Sequence, residues 1–419
     1  VLALTVLGLA AGFGQFGAVA ALADVARAFG EAVEGGATIA EQAGLSGTKL
    51  GIGLAIIRLA SLCSLPLAGA ADRVGRRRSL VGFSTAGLAL VVAASLSPGF
   101  WWFVALFALS RPLLSATNAI GLVSAAELTA SSGRAKAVAL VAAAYGVGAG
   151  TVAVLRGMAG DVLGFRGLFA LAVVPCVAVL VTRRWVTEPD RWRAEEARAD
   201  RPLPVLGALA PGYRRRLAPL LGVMFGVSAI TGPANSFLFV YAESVLALPP
   251  TVTAALVVAA GASGLAGLLL GRWASDHLGR RATAAGALVG LAAAAMAAYS
   301  GSTPALAVGY LLAVLAGSAF APAIGTLQSE LFPTSVRASV AGWLLVAGVL
   351  GATTGLFAFG ALADVGERFA LAAGAVFLPA ACAAWLLRRV PETKGRELED
   401  AEDGTYGPGS PQSQRDTIG

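Results

Sequence analysis

The sequence predicts an all-α membrane protein whose twelve transmembrane helices form two parallel-related six-helix bundles. Three observations carry that prediction. Apolar residues make up 57% of the chain against 13% charged, twelve apolar stretches are long enough to cross a bilayer, and three charged motifs recur at nearly one spacing. An ordinary soluble domain is about 25% charged. With a mean hydropathy of +0.76, a water-soluble fold of 419 residues would expose more apolar surface than such folds do. Lipid is the solvent that fits.

A hydrocarbon core about 30 Å thick needs about 20 apolar residues per helical crossing. Such stretches begin near Val1, Lys49, Leu80, Phe100, Ala137, Phe165, Leu217, Thr251, Thr283, Pro304, Val336 and Arg368. Short turns rich in breakers join several of them: Ser97-Pro98-Gly99, Pro249-Pro250 and Gly301 to Pro304. The first stretch has neither a charged start nor a small-residue cleavage site, so it reads as a span and not a signal peptide. The chain opens at Val1 without a Met, and residues upstream of it are expected.

The net charge of +7 raises the question of nucleic acid, and its distribution answers no. Basic residues gather in alternate loops: Arg73 to Arg78, Arg134 and Lys136, Arg183 to Arg216, Arg280 and Arg281, Arg337, and Arg388 to Arg396. The intervening loops hold only Arg27, Lys49, Arg166 and Arg368. By the positive-inside rule the first set is cytoplasmic, and so are both termini of a multi-pass inner-membrane protein. An enzyme would need a metal or nucleophile constellation, which a single His and three scattered cysteines do not supply. No cofactor is implied. Cys63, Cys176 and Cys382 are expected to be small buried hydrophobes inside spans.

The repeat comes next in the argument. Asp72-Arg-Val-Gly-Arg-Arg-Arg is echoed 204 residues later by Asp276-His-Leu-Gly-Arg-Arg. Glu127-Leu-Thr-Ala-Ser-Ser-Gly-Arg134 returns 203 residues later as Glu330-Leu-Phe-Pro-Thr-Ser-Val-Arg337. Arg183-Arg184 with Glu188-Pro189 is answered by Arg388-Arg389 with Pro391-Glu392. An even number of helices per repeat makes the halves parallel, related by an axis along the membrane normal. The expected organisation is a bundle over 1–186, a charged cytoplasmic linker over 187–216, a second bundle over 217–390 and a polar tail over 391–419.

These motifs resemble those of the major facilitator superfamily, over nearly the whole chain. The Asp72 loop matches its signature between helices 2 and 3, and the Asp276 loop the repeat between helices 8 and 9. Glu330 to Arg337 and Pro391-Glu-Thr-Lys-Gly-Arg396 are similar to its sugar-porter and metabolite-symporter branches. The resemblance implies secondary transport of a small molecule by a chain embedded in lipid, expected to act as a monomer. It also implies a cytoplasmic latch between the halves, assigned here to Asp72, Arg76, Glu127, Arg134, Asp276, Arg280, Glu330 and Arg337. Ala68 and Arg272 stand where the family has a glycine four residues before the Asp, with Gly69 and Gly271 one position away. His277 is expected to be solvated.

Helices 1, 4, 7 and 10 would line the cavity by that resemblance, and two of them carry polar stripes. Arg111, Ser115 and Asn118 share one face of helix 4, and Ser228, Thr231 and Asn235 one face of helix 7. Gln15 on helix 1 stands where proton-coupled relatives commonly carry Asp, which leaves proton coupling open. Gly325 replaces the aromatic that sugar porters place five residues before the Glu. Tyr145-Gly-Val-Gly-Ala-Gly-Thr lacks the proline of drug antiporters, and a non-transporting sensor would share every feature above. Three arginines lie inside spans, where each costs at least about 2.5–3.5 kcal/mol unless paired or wet. Arg156 is expected to snorkel near Asp161. Arg58 and Arg111 fall about 13–17 Å deep at 1.5 Å per residue, with no carboxylate at that depth. The candidate substrate site is therefore Gln15, Arg58, Arg111, Ser115, Asn118, Thr231 and Asn235, and its ligand either an anion or a neutral sugar or polyol.

Overall fold

The computed structural model describes residues 1–31, 38–129, 133–186, 211–366 and 368–394; the side chains of Asp72, Arg73, Arg134 and Asp161 lie outside that description. Residues 187–210 and 395–419, read above as linker and tail, also lie outside it. Among the described residues there is no strand, and twelve helices are long and apolar enough to cross a membrane. They are α1 (Leu2–Ala20), α2 (Gly47–Ala71), α3 (Arg76–Ala94), α4 (Phe100–Glu127), α5 (Lys136–Gly160), α6 (Val162–Trp185), α7 (Tyr213–Ser236), α8 (Pro250–Leu278), α9 (Arg280–Ala298), α10 (Thr303–Leu331), α11 (Ser339–Val365) and α12 (Phe369–Arg389). The chain is a multi-pass membrane protein.

Local chemistry explains where these helices stop. The glycine of each duplicated Asp-x-x-Gly-Arg-Arg loop takes the same left-handed backbone, φ 106° at Gly75 and 102° at Gly279. Only glycine reaches that region without steric cost, so the loop can reverse the chain in a single residue. Other features lay outside the reading by spans and motifs. Short helices at Leu22–Phe29 and Ile39–Ala43 lie between α1 and α2, the second opened by a capping box of Thr38 and Glu41. A 3₁₀ turn at Ser61–Cys63 breaks α2 just past Arg58, and a π-helical turn at Tyr241–Val245 follows α7.

Packing repeats along with the motifs. Within the first half α1 packs on α5, and within the second α7 packs on α11; the halves meet where α2 packs on α11 and α5 on α8. Lipid offers no hydrophobic drive between helices, so small residues that allow close approach carry such contacts. Gly157 and Gly360, 203 residues apart, occupy matching places in the two cross-half seams. A Cβ on Gly157 would lie 2.6 Å from the Ala254 Cβ, and one on Gly360 2.1 Å from the Gly47 carbonyl oxygen. Asp364 adds a clasp at the second seam. Its two carboxylate oxygens accept from the Gly47 and Thr48 N–H groups at 2.6 and 2.8 Å, capping the positive end of α2 from the other half.

Each half also contains an aromatic cluster. Phe100, Phe103, Phe107, Phe165 and Phe169 interlock in the first, and Phe237, Tyr241, Tyr299, Phe359, Phe369 and Phe377 in the second. The cysteines are a correction to the sequence reading. Cys63 and Cys382 are exposed and Cys176 half-buried. A thiol is apolar enough for hydrocarbon, and burial in protein was the wrong inference from apolarity.

Replacing Gly360 by Ala should push α2 and α11 apart at a backbone contact that cannot yield. The expected loss is about 1–3 kcal/mol of stability, read as a lower melting midpoint in detergent. Gly374→Ala, where a Cβ meets nothing within 4 Å, should leave the midpoint unchanged or raise it slightly.

Candidate functional site

A cavity of about 200 Å³ lies between the halves, and five of the seven expected site residues line it: Gln15, Arg58, Arg111, Thr231 and Asn235. Ser115 stands behind the wall, donating to Gln15 Oε1 at 3.2 Å. Asn118 is not in the lining, and its Oδ1 is buried without a hydrogen-bond partner. Tyr145 of α5 and Ser236 of α7 complete the polar lining. The sequence offered a signal for Tyr145, a lone aromatic in a glycine-rich span, that the stripe search on helices 4 and 7 passed over. Helix 10 contributes nothing to this lining, although the resemblance placed it there.

The cations in the cavity are poorly matched. Arg111 donates from Nη1 to the Gln15 carbonyl oxygen at 3.2 Å, while its Nε and the Nε of Arg58 are buried with no partner. The described lining contains no Asp or Glu. On the opposite wall Asn235 is already engaged, donating to Thr231 O at 2.8 Å and accepting from Tyr310 OH at 3.1 Å. Thr231 and Asn235 also border a second cavity of about 210 Å³ that reaches Leu291, Tyr310 and Ser318 and carries no charged residue in its lining.

The third intramembrane arginine does something the sequence reading did not expect. Arg156 does not snorkel; it is 1% exposed and bridges the halves. Nε and Nη2 donate to Asp24 at 2.6 and 2.7 Å, while Nη1 and Nη2 donate to Glu243 at 2.5 and 2.6 Å. Its guanidinium also lies 5.3 Å from the centre of the Phe239 ring, and Arg27 approaches both carboxylates at 4.0 Å. Two fork-like pairs of charge-assisted bonds saturate four of the five donors. The expectation failed because the partners sit past helix ends, Asp24 in the short helix after α1 and Glu243 in the π turn after α7. Sequence distance concealed the contact.

At the other end of the bundle the described motif side chains include pairs within each half. Arg76 pairs with Glu127. Arg280 pairs with Glu330 at 3.3 Å and Asp276 at 3.5 Å, and Thr393 also donates to Glu330. Glu392 caps α9 by accepting from the Arg280 and Arg281 N–H groups at 2.9 and 3.1 Å. Arg337 donates to the Ser329 and Phe332 carbonyls at 2.9 and 3.3 Å, tying the end of α10. Asp72 and Arg134 fall on side chains outside the description. Gly271 touches α10 closely, with a Cβ there 2.3 Å from Ala319 O, which settles the contact that Arg272 had put in question. His277 is exposed and stacks on Trp273.

Twelve crossing helices around a charged central cavity are an architecture that suits a membrane transporter. The chain belongs to the Major Facilitator Superfamily, whose family profile matches residues 3–274 and 249–412. None of the curated proteins matches the chain in a sequence search. Among solved structures it is similar to the inward-open xylose transporter XylE from E. coli (TM-score 0.72, 20% identity, covering 96% of this chain and 98% of that one). A bacterial homologue of the human lysosomal transporter Spinster, inward-facing and occupied, is also similar (0.71, 17%, 97% and 98%). So is the nucleoside transporter NupG (0.72, 13%, 92% and 97%). At these identities the likeness is one of fold.

Removing one member of a buried ion cluster leaves the rest uncompensated. Arg156→Gln would leave two carboxylates facing each other and should cost about 3–5 kcal/mol. Glu243→Gln leaves Arg156 still paired with Asp24 and should cost less. Melting of the two variants in detergent tests that order, and the reverse order would contradict the bridge.

Proposed function

We propose that the protein is a secondary active transporter that moves a small carboxylate-bearing solute by alternating access. The observation that supports the substrate class is the pair Arg58 and Arg111, which share one cavity whose described lining has no carboxylate. Two buried cations without a counter-ion are costly. A bound carboxylate supplies the missing charge and accepts from the two Nε–H groups that have no protein partner. Gln15 cannot exchange a proton, and its role in this reading is to hold Arg111 through its carbonyl and Ser115 through its amide oxygen.

Alternating access needs a gate at each end. The bonds of Arg156 and Asp364 join the halves at one end, and the motif pairs at the other end fall within single halves. The cross-half bonds of Arg156 and Asp364 suit a state closed at that end. By the positive-inside rule that end is periplasmic and the motif end cytoplasmic. In this reading Asp72, Arg76, Glu127, Arg134, Asp276, Arg280, Glu330 and Arg337 form the latch that closes the motif end when the cavity faces the other way. Exposed pairs are worth only about 0.2–1 kcal/mol each, so such a latch acts as a shielded network. A neutral sugar or polyol is the second reading, supported by the fold shared with the xylose transporter and by the uncharged second cavity beside Asn235.

Binding of matched acid and amide ligands separates the two readings. A hydrogen bond to a charged group is worth about 1.5–3 kcal/mol, so the acid should bind roughly ten to a hundred times more tightly than its amide. Arg111→Gln should remove most of that preference, and Arg58→Gln should weaken it. Equal affinity of the wild type for acid and amide would sink the anionic reading and favour the polyol. Uptake of the preferred ligand into proteoliposomes distinguishes a transporter from a sensor.

A further inference from the structure

A third cavity, far from the substrate path, opens on the outside of the second half where α7 begins and α12 ends. It measures about 490 Å³ and is lined by Arg215, Ala218, Pro219, Leu386 and Arg389. Its shape follows from the packing next to it. The two helices touch where glycines of α7 admit α12: a Cβ on Gly222 would lie 2.3 Å from Leu386 Cδ1, and one on Gly226 2.7 Å from Ala380 O. One turn nearer the motif end the small contact residues give out. There α7 carries Pro219, which lies inside the helix, and α12 finishes as a 3₁₀ stretch, Cys382–Arg389, leaving a groove between the two ends.

The chemistry of this groove is two-sided. Its mouth carries two exposed arginines, Arg215 and Arg389, and its described lining includes no carboxylate. The nearest acidic side chain in sequence, Glu392, is turned away to cap α9. The floor is apolar, made by Ala218, Pro219 and Leu386. Beside it Trp385, 62% exposed, carries the guanidinium of Arg388 at 3.6 Å from its ring centre. Further up the same helix Leu378 is 59% exposed. An exposed leucine gives way along α12 to an exposed tryptophan and then to arginines. That is the order of a helix leaving hydrocarbon for the headgroup layer, where tryptophan concentrates.

We propose that this groove binds the headgroup of an anionic phospholipid, its phosphate between Arg215 and Arg389 and the start of an acyl chain over Ala218, Pro219 and Leu386. Basic pockets between transmembrane helices at the cytoplasmic level suit such headgroups. Arginine suits phosphate because its planar fork donates two parallel bonds to a pair of oxygens. A zwitterionic lipid offers the same phosphate with a cation attached, and that cation would meet the arginines unfavourably. The site therefore selects by headgroup charge. Occupancy would staple the first helix of the second half to its last.

The full chain in mild detergent, titrated with phosphatidylglycerol and separately with phosphatidylcholine, tests this by native mass spectrometry and melting. Phosphatidylglycerol adducts should survive at least about fivefold better than phosphatidylcholine adducts and raise the melting midpoint. In Arg215→Gln/Arg389→Gln the two lipids should become equivalent. Arg388→Gln removes one charge of the same region but none from the lining, and should keep the preference. Equal retention of both lipids by the wild type would overturn the proposal, whatever the variants do. A preference that survives in the double variant would overturn it as well.

Discussion

The bridge of Arg156 between Asp24 and Glu243 holds the halves together at one end, and its geometry constrains the rest of the fold. An arginine at 1% exposure has no water to fall back on, so its charge must be met by protein groups at full hydrogen-bonding distance. Four bonds from one guanidinium to two carboxylates require three separate elements to arrive within a few tenths of an ångström. The aromatic clusters provide that precision. Phe165 and Phe169 pack under the first half near Phe29, while Tyr241, two residues before Glu243, is wedged between Tyr299 and Phe369. The Tyr241 hydroxyl also accepts from Gly301 N–H at 2.8 Å, which anchors the π turn that presents Glu243. Buried ion clusters add little stability relative to apolar packing. Their use is to specify one arrangement and to make leaving it an all-or-none event.

Charge is balanced at that end and unbalanced in the centre. Arg156 has two carboxylates and a neighbouring Arg27, a cluster of zero net formal charge; Arg58 and Arg111 have none. The contrast fits the roles proposed above, a gate at one end and a binding cavity in the centre. A gate must be self-sufficient, because it has to hold with or without ligand. A binding cavity must be incomplete, because whatever completes it is what gets bound. The same low-dielectric surroundings strengthen both effects. A site of this kind recognises a solute through the deficit that its own charges leave.

The sequence disclosed the frame more readily than the clasp. The twelve spans were legible because a bilayer sets a length and a polarity that few other structures share. The duplicated loops were legible because Gly75 and Gly279 answer one steric demand. That Gln15, Arg58, Arg111, Thr231 and Asn235 line one cavity was legible from depth and helical faces, together with the helices that the family resemblance assigned to the cavity. Asp24 and Glu243 were missed because they lie beyond the straight part, in a short helix and a π turn that periodicity does not announce. Tyr145 escaped because a tyrosine in a glycine-rich span reads equally well as packing. Cys63 and Cys382 were misplaced for a general reason: in lipid an apolar residue can face outward, so hydrophobicity no longer points to the core.

The repeat shows how one frame acquired two unlike seams. At the common spacing of 203, Gly157 falls on Gly360 and Asp161 on Asp364. The positions that contact these helices, Gly47 and Thr48, fall on Pro250 and Thr251. Asp364 caps α2 because Gly47 and Thr48 have free N–H groups to offer. The matching start of α8 has Pro250, which has no N–H at all, so the same cap cannot form there in full. One residue earlier the difference reverses. Arg156 falls on Phe359, and where the first half sends a cation to two carboxylates, the second buries a ring against Phe237, Tyr299 and Phe377. A polar clasp is thus present on each seam, in a different chemistry and at a different residue. Had both copies kept an arginine, two buried cations would each have needed carboxylates from the facing half. Had both kept a phenylalanine, the first half would have no Arg156 to meet Glu243, and Pro250 would still withhold one of the two N–H groups that its twin offers. Each substitution makes sense only in view of the other.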